Sequence, residues 1–273
     1  RETGCPVSFF IAHPAPCPVS GPGARSCRAP GLHRPRGRSM HSSSIPGSTV
    51  HILSTIIEAF PYILEGTLVT VVLVAGALSL GFCLGVPMAV AQVYAPKPAA
   101  LLVSFYVWFF RGVPVLLLLF LFYYGLFGLI GLDVGTIGAS CIVLGMTSAA
   151  YQSQIFRGAI MSLPAGQLKA GRALGMTDFQ TIRHVILPQA LRLSIPGWSN
   201  EYSILLKDSA MCFALGTPEI MARTHFVASR TYEHLPLYIT AGLIYFAITM
   251  AGVTLLRRLE RKARIPGYSN SGM

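Results

Sequence analysis

From residue 62 onward the chain alternates long apolar stretches with short polar segments. The apolar stretches cover about 62–93, 99–132, 136–161, 191–215 and 235–256. Each reaches the roughly 20 residues that a helix needs to cross the hydrocarbon of a bilayer. The second is too long for one span and carries Arg111 inside it. Part of it, about 99–110, is therefore expected to lie at the membrane interface or to tilt. The first contains Gly81-x-x-x-Gly85, a spacing that lets helices approach closely. The pattern predicts an all-α integral membrane protein of about five transmembrane helices. They form one domain over 60–262, followed by a short cytoplasmic tail at 263–273. Residues 1–48 are rich in Pro, Gly, Arg and Ser, show no periodicity and are expected to be disordered. Their run Phe9-Phe10-Ile11-Ala12 is too short for the apolar core of a secretory signal.

Composition supports a lipid environment. Hydrophobic residues make up 53% of the chain and charged residues only 11%, against about 25% charged in an ordinary soluble domain. So few charges could not hydrate a soluble surface of this size. The net charge of +11 sits mainly in two clusters. One is Arg1, Arg25, Arg28, Arg34, Arg36 and Arg38; the other is Arg257, Arg258, Arg261, Lys262 and Arg264. Beside apolar spans, such clusters mark loops next to anionic lipid rather than a nucleic-acid surface. Cys83, Cys141 and Cys212 lie in apolar runs as small fillers, and no Cys/His spacing fits a metal. No nucleotide-binding G-x-x-x-x-G-K-[ST], H-E-x-x-H or G-x-S-x-G occurs. The chain is expected neither to fuel transport nor to hydrolyse a substrate.

The Lys and Arg pattern sets an orientation. The C-terminal cluster belongs in the cytoplasm. The 162–190 loop, with Lys169, Arg172 and Arg183, lies two spans back and is cytoplasmic too. So is Ala95-Pro96-Lys97-Pro98. Five spans then place the N-terminus outside, where its Arg cluster opposes the rule. The chain begins with Arg1, and its first Met is Met40. Residues 1–39 are accordingly expected not to be native, the simplest cause being a gene start placed too far upstream.

The 162–190 loop carries the strongest local signals. Pro164 suits a first helical turn. Gly175 is a natural residue just past a helix end. Thr177-x-x-Gln180 is a capping box that opens a second short helix, with Phe179, Ile182 and Ile186 on one face. Pro188 is expected to end that helix. The first helix is expected to expose Ala170, Gly171, Ala173 and Leu174, small residues that let another backbone come close. Such a hairpin could take a push from a soluble partner, or it could simply connect two spans.

In the fourth stretch Asn200, Ser203 and Lys207 recur at i, i+3 and i+7, with Glu201 and Asp208 on the adjacent face. Ionisable groups in a span are costly and normally face the bundle interior or a water-filled cavity. A substrate path or gate fits this stripe; so does a local network with Lys207 paired or snorkelling to an interface. Arg111 has the same two readings, path or interfacial anchor.

Gly166-Gln167-x-x-Ala170-Gly171-x-Ala173-Leu174-Gly175, followed by Ile186-Leu187-Pro188-Gln189-Ala190, resembles the EAA loop of ATP-binding-cassette importer permeases. The histidine/glutamine/arginine/opine type is the nearest likeness. Arg111-Gly112-Val113-Pro114 resembles a second motif of that type, and Asn200 through Leu206-Lys207-Asp208-Ser209 a third. The resemblance spans about 60–262. It departs at Lys169, where the family has Glu, at Gly171, where it has Ala, and at Val113, where it has Thr. It implies a type I importer transmembrane domain in the cell membrane, with the loop as a coupling helix docking in a cleft of a cytoplasmic ATP-binding subunit. The docking residues would be Gly166, Gln167, Lys169, Ala170, Gly171, Ala173, Leu174 and Gly175. A path or gate for a polar amino acid would be formed by Asn200, Glu201, Ser203, Lys207, Asp208, Ser209, Arg111 and Pro114. It further implies a second permease copy, identical or pseudo-symmetric, and an extracytoplasmic amino-acid-binding protein. ATP and magnesium would be bound by the partner, and no cofactor by this chain. Three alternatives remain at this stage: a permease for another small solute, a membrane-embedded enzyme and a channel.

Overall fold

The computed structural model describes residues 49–263. The expectations for 1–48 and for the tail beyond 263 lie outside these residues. Every regular element among them is helical.

The first helix, α1 (Thr49–Tyr94), has 46 residues and contains Pro61 and Pro87. At 1.5 Å per residue it is about 69 Å long, twice the roughly 30 Å of a bilayer core. The apolar stretch therefore occupies its C-terminal part, and the helix begins well before it.

The overlong second stretch is two helices, α2 (Lys97–Gly112) and α3 (Val115–Leu129), bent by 106°. The corner is the Arg111-Gly112-Val113-Pro114 segment. Pro114 pushes the residue before it out of the helical region, and Val113 is extended at φ −95°, ψ 133°. The 99–110 part of that stretch is thus a separate helix, α2, set off from α3 by a proline break.

The third stretch is α4 (Thr136–Met161). Next come α5 (Gly166–Ala173), α6 (Asp178–Thr181), a π turn (Ile182–Ile186) and α7 (Leu187–Leu193). The fourth span is α8 (Ile195–Asp208), tightening into a 3₁₀ turn (Ser209–Leu215) that Gly216 ends at φ +80°. The helices α9 (Ile220–Thr231) and α10 (His234–Ala263) complete the bundle.

Length and apolarity together mark α1 and α10 as spans, and the bent α2–α3 pair as a third. The expected count of about five therefore rests on helices of two kinds. Of the remaining two, α8 is a helix of only 14 residues, and α4 is more polar because much of it lies inside. In α4 the buried residues include Ser140, Thr147, Ser148, Gln152 and Ser153. A helix screened from lipid by its neighbours can carry polar groups so long as they are partnered.

The seam between α1 and α4 is closely packed. A side chain at Gly81 would collide with Gln152 and Ser148. One at Gly85 would lie 3.1 Å from Gln152 Cβ and 3.2 Å from the Ser153 nitrogen. The Gly81-x-x-x-Gly85 spacing thus serves helix contact, as expected.

Three apolar clusters hold the bundle. One joins Val74 of α1, Leu118 and Leu119 of α3, Leu144 of α4 and Leu206 of α8. A second, around Ala89, Phe156, Ile160 and Leu163, receives Ile186 and Ala190 from the loop hairpin. The third packs Ile63, Ile220 and Leu237 where α1, α9 and α10 meet. Outside, Leu68, Val72, Leu101, Trp108, Leu243 and Phe246 are exposed. An apolar exterior of this kind suits hydrocarbon, not water.

Candidate coupling hairpin and translocation helix

The 162–193 segment is a small, internally braced hairpin. At the end of α5, Gly175 adopts φ +79°, a left-handed conformation that favours glycine. Met176 N–H donates to the Gly171 carbonyl at 3.0 Å and Gly175 N–H to the Arg172 carbonyl at 3.0 Å. These are the two bonds of a Schellman stop. The capping box forms as the sequence predicts: Gln180 N–H donates to Thr177 Oγ1 at 3.2 Å, and Thr177 N–H to Gln180 Oε1 at 2.9 Å. Arg172 clasps Asp178 across the turn with two bonds of 2.7 Å. Those bonds hold the Asp178 carboxyl below the ordinary carboxylate range.

Two expectations need correction. Pro188 does not end the second helix, which runs on through the π turn into α7. Proline lacks an N–H and its ring crowds the preceding turn. Widening that turn, with Leu187 N–H bonding back to the Ile182 carbonyl, accommodates the ring. Nor is Gly171 exposed: it is buried, and any side chain there would run into Thr181. Its role is to let α5 lie against α6.

Gln167 also works inside the hairpin. Its Nε2 donates to Gln189 Oε1 at 3.0 Å, so two motifs separated in sequence meet as an amide pair. Gly166, Lys169, Ala170, Ala173 and Leu174 lie on the outside, joined by Gly175 and by Phe179. Leu174 is 81% exposed and Phe179 68%. The hairpin therefore presents small and apolar groups beside the charged Lys169, Arg172 and Arg183 on a hydrogen-bonded frame.

The stripe on α8 divides. Asn200 and Lys207 are exposed, while Ser203 is half-buried and donates to the Ser199 carbonyl. Lys207 borders a cavity of about 430 Å³ with Met221, Tyr238 and Tyr245. On the adjacent face Glu201 is buried, Asp208 is half-buried, and buried Ser209 donates to the Leu206 carbonyl. Arg111 stacks over the Tyr151 ring at 5.0 Å. Pro114 lies exposed at the α2–α3 corner. Glu201, Asp208 and Ser209 thus lie toward the inner side of α8 and its 3₁₀ extension. Asn200 and Lys207 face elsewhere, and Pro114 serves the corner.

Sequence reasoning missed the chain that anchors Glu201. Ser148 Oγ donates to Glu201 Oε1 at 2.7 Å. Gln152 Nε2 donates to Ser148 Oγ at 3.0 Å and to the Leu78 carbonyl at 3.1 Å. Trp198 Nε1 donates to Gln152 Oε1 at 2.7 Å. The chain thus runs from α8 into α4 and back to α8, touching α1. Its one sequence signal is Ser148 and Gln152, four apart in an apolar helix.

Glu219, between the fourth and fifth apolar stretches, is another group the sequence did not single out. It is fully buried. Its carboxylate caps α9 by accepting from the Met221 and Ala222 N–H groups and takes the Tyr245 hydroxyl of α10.

An apolar exterior around a polar inner seam defines a polytopic helical membrane protein. Residues 81–265 match the family described as binding-protein-dependent transport system inner membrane component. The chain belongs to that family: it is the permease subunit of an ATP-binding-cassette importer, a transport subunit whose ATP hydrolysis resides in a separate partner. It is 32% identical over 211 residues to the arginine transport system permease protein ArtQ of Bacillus subtilis, covering 77% of this chain and 96% of that protein. It is 32% identical over 210 residues to the histidine/lysine/arginine/ornithine permease HisM of Salmonella typhimurium, covering 74% of this chain and 89% of that one. The crystal structure of an amino acid ABC transporter with histidines superposes with a TM-score of 0.70 at 32% identity, over 79% of this chain and all of that one.

Proposed function

We propose that the chain forms, with a second permease copy, the translocation path for a polar amino acid. In this reading the 166–175 face docks on a cytoplasmic ATP-binding subunit, and the C-terminus is cytoplasmic. Membership of the family implies an ATP-binding subunit and a substrate-binding protein; their arrangement here is our reading. The observation that carries it is the hairpin, which holds exposed Ala170, Ala173, Leu174 and Phe179 on a frame braced by a Schellman stop, a capping box and an ion pair. A mere connector would not need that bracing. ATP and magnesium belong to the partner, and an extracytoplasmic binding protein delivers the solute.

Support for a second copy comes from α8. Asn200 and Lys207 are exposed on the single chain, and an ionised group facing lipid is costly. A second permease would turn that surface into the wall of an aqueous path. Support for the solute class comes from the relatives, which are named for arginine and for histidine/lysine/arginine/ornithine transport. The test is uptake by vesicles containing the permease and its ATP-binding subunit, with the binding protein added, across a panel of amino acids. ATP-dependent accumulation of a polar amino acid is expected. Accumulation of another solute class alone would contradict the substrate assignment.

A further inference from the structure

A groove apart from the 166–175 face opens where the start of α8 and the end of α10 meet α1, α4 and α7, with a volume of about 570 Å³. Its floor is aromatic. Phe82 meets Phe156 edge-on at 5.6 Å and Trp198 at 6.0 Å. Leu256 and Leu259 of α10 form the wall. Arg192 and Lys262 complete the lining. Both are exposed, and neither has an acidic partner among the described residues.

We propose that this groove is a binding site for one anionic phospholipid, its acyl chain on the aromatic floor and its phosphate between Arg192 and Lys262. The chemistry selects this occupant. Apolar walls suit an acyl chain and repel a hydrated solute. Two unpaired cations at the same groove complement a phosphodiester, and basic pockets between helices hold anionic headgroups in this way. The groove lies in the last turns of α10, where Arg257, Arg258 and Arg261 also cluster, the level at which a headgroup sits. Trp198 connects the site to the interior, because its indole N–H holds Gln152 and through it Ser148 and Glu201. An occupied groove would therefore steady the start of α8.

The test uses Trp198 itself. Trp108→Phe leaves it the single tryptophan of the full-length chain. That variant is placed in phosphatidylcholine vesicles containing phosphatidylglycerol with brominated acyl chains, or brominated phosphatidylcholine as control. Quenching should half-saturate at a roughly five- to thirty-fold lower fraction of the anionic lipid, for one or two cations engaged. Arg192→Gln and Lys262→Gln should each lower that preference about fivefold. The charge-keeping pair Arg192→Lys and Lys262→Arg should retain it and so report an intact fold. Equal quenching by the two lipids would overturn the site. So would a preference untouched by both neutral variants, or no quenching by either lipid, which would mean that protein covers the groove.

Discussion

At the scale of single residues, the most consequential group is Gln152, which bridges α1, α4 and α8 with three hydrogen bonds from a fully buried position. Gln152→Leu removes all three. Leu78 loses only a second donor, but the Trp198 N–H loses its acceptor. Leaving a buried polar group unsatisfied costs about 1–3 kcal/mol. Thermal unfolding in detergent should show a clear fall in midpoint, while Gln154→Leu, at a half-buried neighbour, should fall less. Equal midpoints for the two would remove the chain from the account of how Glu201 is held. A second prediction concerns charge. Lys207→Met and Asp208→Asn should impair uptake while the complex still assembles, because these charges are kept in a span at a cost. Wild-type rates in both would make them bystanders.

At the scale of elements, the hairpin was largely legible. Gly175 and the Thr177/Gln180 box are local signals, and the bonds they predict are made within six residues. Pro188 and Gly171 were misread for one shared reason: each is decided by a neighbour. Pro188 is rescued by a π turn that no local rule anticipates, and Gly171 is buried by Thr181, ten residues away. The same division holds for the spans. Apolarity located α4 as well as α1, α10 and the α2–α3 pair, but the partners of polar groups in α4 depend on which helix faces which.

The hairpin also carries two predictions of its own. Gly175→Pro forces φ near −65° where +79° is needed, and Ala173→Trp blocks the outward face. Both should abolish substrate-stimulated ATP hydrolysis by the complex while the permease stays folded and assembled. Normal stimulation would leave the hairpin a connector. The Arg172–Asp178 pair adds a pH dependence. Its Asp is depressed in the folded state, so the pair's contribution is present above the unfolded carboxyl value of about 3.9 and fades as pH falls through the folded one. Hydrogen exchange of the 172–180 amides, corrected for the intrinsic rate at each pH, should lose protection on acidification, and less so in Asp178→Asn. An identical acid response in that variant would show that the pair does not brace the turn.

At the scale of the whole molecule, the fold places its polar and ionisable groups in two unlike settings. Glu201 and Glu219 are held inside by hydrogen bonds, whereas the Asn200 amide and the Lys207 ammonium are left on a surface that lipid would not tolerate. This division, together with the braced hairpin at 166–193, suits the proposed role as one half of an ATP-driven gate. Orientation can be read separately. A cysteine in place of Leu174 should react with an impermeant maleimide only from the cytoplasmic side, and labelling from outside would invert the topology. The most direct test of the central claim is transport by purified components. Vesicles holding the permease and its ATP-binding subunit, given the binding protein outside and ATP inside, should accumulate a polar amino acid, and Gly175→Pro should stop both uptake and stimulated hydrolysis. Flux that proceeds at the same rate without ATP would contradict the account.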